Sequence, residues 1–210
     1  TKFDLVAEIS WIEDFKIDIN ANRVYSENFS ENYQVINNQY NALNPNTSGN
    51  FAISTILINT AFSSSDQYNS KTFDTFQKNR LIIANRLAAI NGNSNGVDEF
   101  GFPQGYGKNN QSVLIPSFIS AYSGKDPNSI SLSAIRSAPL PNWSIQYTGL
   151  INLDFFKERF KRFSIGHSYR SSYTLNNFKS NLEFDSSNNQ LTDASGNFLN
   201  EILYTNVNLV

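Results

Sequence analysis

Strict alternation of apolar and polar residues is the pattern that most constrains how this chain can fold. Near the start, every second residue is apolar: Phe3, Leu5, Ala7, Ile9 and Trp11. After a break at Glu13-Asp14, the alternation resumes with Phe15, Ile17, Ile19 and Ala21. Successive side chains of a strand point to opposite faces, so these two runs predict an antiparallel hairpin. A soluble β-sandwich would give the same pattern, so the hairpin alone does not decide the class of protein.

Two later runs alternate in the same way. The first contains Trp143, Ile145 and Tyr147, and the second contains Phe163, Ile165, His167, Tyr169, Tyr173 and Leu175. The run over 163–175 is longer than the about 5–6 residues of a usual soluble strand. A tilted membrane-crossing strand needs about 9–11 residues, which this run supplies. Further candidate strands are 31–40, 50–61 and 197–210, and 185–190 and 193–197 are predicted to be polar hairpin loops.

The alternation predicts a mainly β fold, namely a wall segment of an antiparallel transmembrane β-barrel with two inserted helices. Aromatic residues gather on one face of the later strands, as lipid-facing surfaces require. We therefore expect the following to face lipid: Trp143, Ile145, Tyr147, Phe163, Ile165, Tyr169 and Tyr173. The residues expected to face the lumen are Ser144, Gln146, Ser164, Ser168 and Arg170. The facing of the strands before residue 140 stays open.

Two segments interrupt the β pattern. Over 70–90, apolar residues recur at helical spacing, Ser70 can cap the start, and Gly92 can end the helix. An ordinary amphipathic helix packed on a sheet is favoured over a helix lying on a membrane surface. A shorter helix is predicted over 110–123, with Pro116 in its first turn. Between them, 91–109 is rich in Gly and Asn and predicts a surface or lumenal loop.

Composition excludes several classes of function. The net charge is −2, so no basic footprint for a nucleic-acid partner exists. Cysteine is absent, which removes disulfides, thiolate nucleophiles and cysteine-bound metals. Charged residues make up only 16%, while Phe and Tyr number 17 and 10. No run approaches the length of a transmembrane helix. The chain begins at Thr1 and has no Met, which predicts a fragment or a processed product.

No group of residues predicts catalysis, so we expect no enzyme, no cofactor and no metal. His167 is the only histidine, and its place in an alternating run favours a packed or interfacial aromatic role over that of a base. Asp98-Glu99 and Asp154 with Glu158 are carboxylate pairs, but solvated charges are the default for such spacing. The most basic stretch, 155–163, is compatible with a turn at a membrane interface and equally with a solvated turn.

The stretch from Asp98 to about Phe178 resembles one family. The residues that carry the resemblance are Gly105-Tyr106-Gly107, the string VLIPSFISAYSGKDPN over 113–128, Pro141-Asn142-Trp143 with Tyr147 and Gly149-Leu150, and His167 followed by Tyr169-Arg170-Ser171. RVYSENFSENY over 23–33 and the segment 49–90 are similar to the same family. It is the SprA (Sov) family, the outer-membrane translocon of the type IX secretion system of Bacteroidetes, which acts in secretion and gliding motility.

The resemblance implies a very large single-chain barrel that conducts folded cargo proteins across the cell outer membrane. It also implies partner proteins that plug the pore or cover a lateral opening, with outer-membrane lipid around the wall. We count about six or seven strands, fewer than the eight of the smallest closed barrels, so this chain is expected to be an arc of wall. Residues 1–69 and 125–210 are predicted to be barrel strands and loops, and 70–124 a helical insertion of the same domain.

Two alternatives to the translocon stay open at this point. The first is a soluble or cell-surface β-sandwich that binds glycans through exposed aromatic residues. The second is an outer-membrane barrel of the plugged type that imports nutrients.

Overall fold

The computed structural model describes residues 1–92, 96–188 and 190–210. Within them the chain is mainly β, and eight strands form one antiparallel sheet that curls into a half-barrel. The predicted loops 91–109 and 185–190 lie partly outside the described residues, at 93–95 and 189. The elements in chain order are β1 Lys2–Ile12, β2 Phe15–Ile36, β3 Gln39–Ser54, α1 Lys71–Ile90, α2 Gln111–Ser123, β4 Asn142–Tyr147, a 3-10 turn Gly149–Asn152, α3 Asp154–Lys157, β5 Ile165–Tyr169, β6 Ser172–Ser180, β7 Ile202–Leu203 and β8 Asn206–Leu209.

The predicted first hairpin is confirmed and is followed directly by a second. Strand β1 pairs with β2 so that Ile9 lies opposite Ile17, and Asp14 has a positive φ of 65° in the turn. Strand β2 then continues to a second tight turn at Asn37-Asn38, whose φ angles of 51° and 59° suit a two-residue hairpin loop. The single strand predicted over 31–40 is therefore wrong, because this turn divides it. The strand predicted over 50–61 ends at Ser54.

Strand β2 is long enough to pair with two different strands along one of its edges. Its first part pairs with β4 and its later part with β3. Strands β5 and β6 continue outward from β4 and β3 respectively. The predicted strand 163–175 is thus two strands with a break at Arg170-Ser171, because each half pairs with a different neighbour. Phe163 and Ser164 lie before β5, so placing them and Arg170 in a strand was wrong.

The helix predicted over 70–90 is confirmed as α1. The Ser70 side chain accepts a hydrogen bond from the Phe73 N–H, which satisfies one of the free N–H groups at the helix start. The second helix, α2, begins after the cap residue Asn110, so Pro116 lies inside the helix. The prediction that Pro116 occupies the first turn is therefore wrong. Proline lacks an N–H, so the carbonyl of Ser112 receives no helical hydrogen bond from it.

The two helices cover one part of the sheet and form the main core with it. This core contains Phe51, Ile53, Ile83, Ile115, Ile119, Ile130, Tyr173, Leu175 and Phe178. Helix α1 contributes Ile83 to it, while Lys71, Asp74 and Lys78 on its other side are exposed. This is the expected arrangement of an amphipathic helix packed within a fold.

A second, smaller cluster lies between α1, α2 and the segment 98–107. It contains Ala84, Ala88, Phe102, Tyr106 and Val113, with Phe198 packed against it. Gly105 has a positive φ of 83°, and a Cβ at this position would overlap the Phe198 ring. Both the backbone conformation and the nearby Phe198 ring therefore disfavour any side chain at this position.

Replacing Gly105 by Ala is expected to destabilise the fold by about 2–4 kcal/mol, since both backbone strain and a clash with Phe198 result. Gly101 is a matched control, because its φ is also 83° but nothing lies within 4 Å of its Cβ position. Gly101→Ala should cost only about 1 kcal/mol of strain. Denaturant unfolding followed by circular dichroism measures both, and equal losses for the two variants would contradict the clash.

Candidate membrane-facing surface

The register of the sheet shows which side chains share a face. In an antiparallel pair, residues directly opposite each other point the same way. Trp143 lies opposite Ile19 on one side and Tyr169 on the other, and Ile145 lies opposite Ile17 and His167. Tyr147 is likewise paired with Phe15 and Ile165. The predicted alternation is confirmed, because these aromatic and aliphatic residues form one continuous face.

The opposite face of the same strands is polar and charged. Ser144 lies between Asp18 and Ser168, and Gln146 lies opposite Lys16. Ser144, Gln146 and Ser168 are all exposed, as predicted for residues in contact with water. Lys16 of β2 forms an ion pair with Glu8 of β1 at 3.2 Å and another with Asp18, two residues further along β2, at 3.3 Å. This face therefore requires water on it.

The apolar face is covered by the helices over only part of its extent. We call the uncovered part the bare face, and it consists of Phe3, Leu5 and Ile9 of β1, Phe15, Ile17 and Ile19 of β2, Trp143, Ile145 and Tyr147 of β4, and Ile165, His167 and Tyr169 of β5. None of these side chains belongs to the two buried clusters formed by the described residues. Ile165 is 50% exposed and Phe3 48% exposed. A bare apolar surface across four strands is a candidate membrane-facing or docking surface.

Aromatic stacking orders the centre of the bare face. The rings of Trp143 and Tyr169 stack with their centroids 4.7 Å apart. The Trp143 indole N–H donates to Nδ1 of His167 across 3.2 Å. His167 is thus part of an aromatic row, in agreement with the interfacial role favoured for it, and no carboxylate bonds to its ring among the described residues.

Tyr173 does not belong to the bare face, and its predicted contact with lipid is corrected by the structure. It lies on the same side of the sheet, opposite Ile53, but is only 2% exposed. The helix-covered core encloses it, and its ring packs edge-on against Phe51. Phe163 precedes β5 and packs against Phe156 at 4.6 Å between centroids. Ser164 and Arg170 are exposed but lie outside the strands.

The connection 148–164 lies at one end of the bare face and combines aromatic with basic side chains. We call it the aromatic-basic loop. Four phenylalanines cluster in it, and Phe155 and Phe160 remain 59% and 44% exposed. Its cations are Lys157, Arg159, Lys161 and Arg162, all exposed. The Arg159 guanidinium lies over the Phe155 ring at 4.3 Å. Exposed aromatic rings beside exposed cations suit the boundary between hydrocarbon and anionic headgroups.

The aromatic-basic loop is tied to the turn between β1 and β2. The Thr148 N–H donates to the Asp14 carbonyl across 2.9 Å. The Asn152 side-chain amide donates to Asp14 Oδ2 across 3.0 Å. Both connections of the bare strands therefore lie together at one end, opposite the helix-covered end.

The described residues contain no group of three His, Cys, Asp or Glu side chains that could hold a metal ion. The Asp98 carboxylate accepts hydrogen bonds from the N–H groups of Phe100 and Phe102, which gives it a role in a turn. Asp154 and Glu158 lie exposed at the two ends of α3. No helix in the described ranges is both long enough and apolar enough to span a membrane.

A cavity of about 690 Å³ lies between β3, β6 and the segment 193–203 and is lined mainly by amides, including Asn44, Asn46, Asn181 and Asn200. Amides can bind sugar hydroxyls. The only aromatic side chain in its lining is Phe198, whose ring packs edge-on against Tyr106. The described part of this cavity therefore offers no exposed ring on which a sugar could stack.

Sequence reasoning did not assign the β1 and β2 residues of the bare face to any environment. Their alternation was visible, but it does not say which residues of a distant segment lie beside them. The pairing of Ile17 with Ile145 joins positions far apart in the chain and supplies this information. No family model matches the chain, and no curated protein matches it either.

The aromatic-basic loop is expected to bind membranes that carry anionic lipid. Replacing Lys157, Arg159, Lys161 and Arg162 by Gln should weaken binding to anionic vesicles by about 1 kcal/mol per residue and leave binding to zwitterionic vesicles little changed. Vesicle flotation measures this. Lys71 and Lys78, exposed on α1, provide a control, and their replacement by Gln should have a smaller effect. Equal losses per charge removed in the two sets would mean that only net charge matters.

Proposed function

We propose that this chain is an arc of the wall of a large outer-membrane β-barrel that conducts folded proteins, the translocon of type IX secretion. The observation that carries the proposal is a sheet with one bare apolar face and one charged face on the same four strands. In water, each of the half-exposed side chains of the bare face forgoes part of the about 1.5–3 kcal/mol that full burial of a Leu, Ile or Phe side chain contributes. In a membrane wall the same side chains contact hydrocarbon, and the charged face contacts the water of the lumen.

The charged face fixes which side is the lumen in this proposal. Lys16, Asp18 and Glu8 cannot face hydrocarbon, where one Lys or Asp at the centre of a membrane helix costs about 2.5–3.5 kcal/mol. Lipid therefore contacts Trp143, Ile145, Tyr147, Ile165 and Tyr169, and the lumen contacts Ser144, Gln146 and Ser168.

Strand lengths support a boundary between a membrane part and a part outside it. Strand β1 has 11 residues, which matches one tilted crossing of about 9–11 residues. Strand β2 has 22 residues, about twice that length. Its later part pairs with β3, where the helices cover the sheet. Because α1 exposes Lys71, Asp74 and Lys78, the helix-covered end lies outside the hydrocarbon in this proposal.

Open sheet edges support an arc rather than a whole barrel. Within the described ranges, β1 pairs only with β2, and β5 pairs only with β4. An unpaired backbone edge in hydrocarbon costs several kcal/mol per group, so further strands must continue the wall on both sides. Because the diameter of a barrel grows with its number of strands, such an extended wall would enclose the wide pore that folded cargo requires.

The translocon, rather than another large barrel, is proposed on the resemblance to the SprA (Sov) family. The family string over 113–128 lies on α2 and the turn after it, and Pro141-Asn142-Trp143 leads into β4. The similarity thus covers both the helix-covered part and the bare face. Secreted cargo, a plug and a protein covering a lateral opening are the partners that this resemblance implies.

The facing of β4 can be tested with single cysteines, because the chain contains none. In the full-length protein in its native membrane, Ile145→Cys and Gln146→Cys would each carry an environment-sensitive fluorophore. We expect position 145 to report hydrocarbon and to be quenched by lipid-borne quenchers, and position 146 to report water. Equal quenching of both positions, or quenching only at 146, would overturn the wall proposal.

Conduction is tested separately with the same two positions. A photo-crosslinker at 146 should capture secreted proteins in actively secreting cells, whereas one at 145 should capture lipid or nothing. Absence of secreted proteins at 146, with the fluorescence result intact, would leave a barrel wall but exclude a protein conduit.

A further inference from the structure

A cavity of about 260 Å³ lies under the helix-covered end of the sheet and is separate from the bare face. It is bounded by the end of β3, the start of β6, the end of α2 and the segment 131–140. Its polar lining includes Arg136, Tyr173, Ser123 and Lys125, and its apolar lining includes Ile119 and Leu140. A volume of about 260 Å³ corresponds to roughly eight or nine molecules of liquid water at about 30 Å³ each.

Side-chain donors without partners are concentrated in this cavity. In the described part of the chain, five side-chain nitrogen or oxygen atoms are buried without a hydrogen-bond partner. Three of the five, Arg136 Nη2, Tyr173 OH and Ser123 Oγ, belong to residues lining this cavity. A buried polar group with no partner costs about 1–3 kcal/mol, and more when it is charged. A single ligand with several acceptor atoms in this space would satisfy all three.

The cavity carries positive charge that no acidic side chain offsets. Neither Asp nor Glu occurs among its described lining residues. The ion pairs among the described residues join Lys2 or Lys16 to acids of β1 and β2, on the other face of the sheet. A second guanidinium lies nearby, since Arg23 Nε donates to the Arg136 carbonyl across 2.9 Å. Burial lowers the pKa of the Arg136 guanidinium, but arginine remains protonated at neutral pH.

Water in the cavity would accept hydrogen bonds from these donors but would not compensate the positive charge. Water molecules can accept from the Tyr173 and Ser123 hydroxyls, but a neutral molecule does not offset the desolvated charge of Arg136. A carboxylate or phosphate group does both, because its oxygens accept several hydrogen bonds and carry negative charge. The planar guanidinium also suits the spacing of two oxygens in such groups.

We propose that this cavity binds a small oxyanion, either a carboxylate or a phosphate group. Arg136 provides the charge and a forked pair of donors, Tyr173 and Ser123 donate from the inner wall, and the exposed Lys125 attracts the anion at the entrance. The aliphatic walls exclude competing water and so strengthen these bonds. The proposal does not depend on the membrane function, because the site lies in the helix-covered core.

Isothermal titration calorimetry on the full-length protein tests this site with two probes, inorganic phosphate and acetate, at constant ionic strength. Saturable binding of at least one probe is expected, and the tighter one identifies the group that the site prefers. Arg136→Gln should weaken that binding about tenfold or more, since a charge-assisted hydrogen-bonded contact is lost. Tyr173→Phe removes only the hydroxyl and should weaken it by a smaller factor.

Lys78→Gln is the control, because Lys78 is exposed on α1 and does not line the cavity, so its loss should leave binding unchanged. Near-ultraviolet circular dichroism of each variant should match the wild type, which separates lost binding from lost folding. Lack of binding by the wild type would overturn the proposal. Equal weakening by Arg136→Gln and Lys78→Gln would also overturn it, since binding would then follow net charge alone.

Discussion

The backbone pairing of β2 is the constraint on which the rest of the structure depends. This one strand pairs with β1 along one edge and with β4 and then β3 along the other. Because directly paired residues share a face, the odd-numbered residues of β2 from Phe15 to Tyr25 set the facing of every strand attached to it. A shift of one residue in this strand would place its apolar side chains on the charged face of its neighbours and its charged side chains on their apolar face.

The apolar face then meets two different environments along its length. At the helix-covered end, Phe51, Ile53, Tyr173 and Leu175 are almost completely removed from solvent by α1, α2 and the segments beside them. At the other end the same face has no covering element among the described residues. The first arrangement stabilises the fold through ordinary hydrophobic burial. The second leaves apolar surface that only lipid or another macromolecule can cover. The covered end therefore accounts for the stability of the fold, and the bare end is the basis of the proposed function.

The charged side chains also differ between the bare end and the helix-covered end of the sheet. The ion pairs of Lys16 with Glu8 and Asp18 are exposed, so each contributes at most about 1 kcal/mol and mainly marks a face that needs water. The half-buried guanidinium of Arg136 is a different case, since its charge is less well screened by water than that of an exposed side chain. No acidic side chain among the described lining residues of its cavity offsets this charge, and the proposed oxyanion would do so.

The sequence by itself determined the mainly β class, the first hairpin, helix α1 and the sharing of one face by Trp143, Ile145, Tyr147, Ile165 and Tyr169. Each of these follows from a local period of two or of about 3.6 residues, which a short window contains completely. Only the tertiary structure decided that Tyr173 is buried while Ile165 on the same face is not. It also decided that 163–175 is divided at Arg170-Ser171, and that Arg136 and Tyr173 line one cavity. Those outcomes depend on which distant segments pack on each position. A residue's periodicity states which way it points but not what lies opposite it.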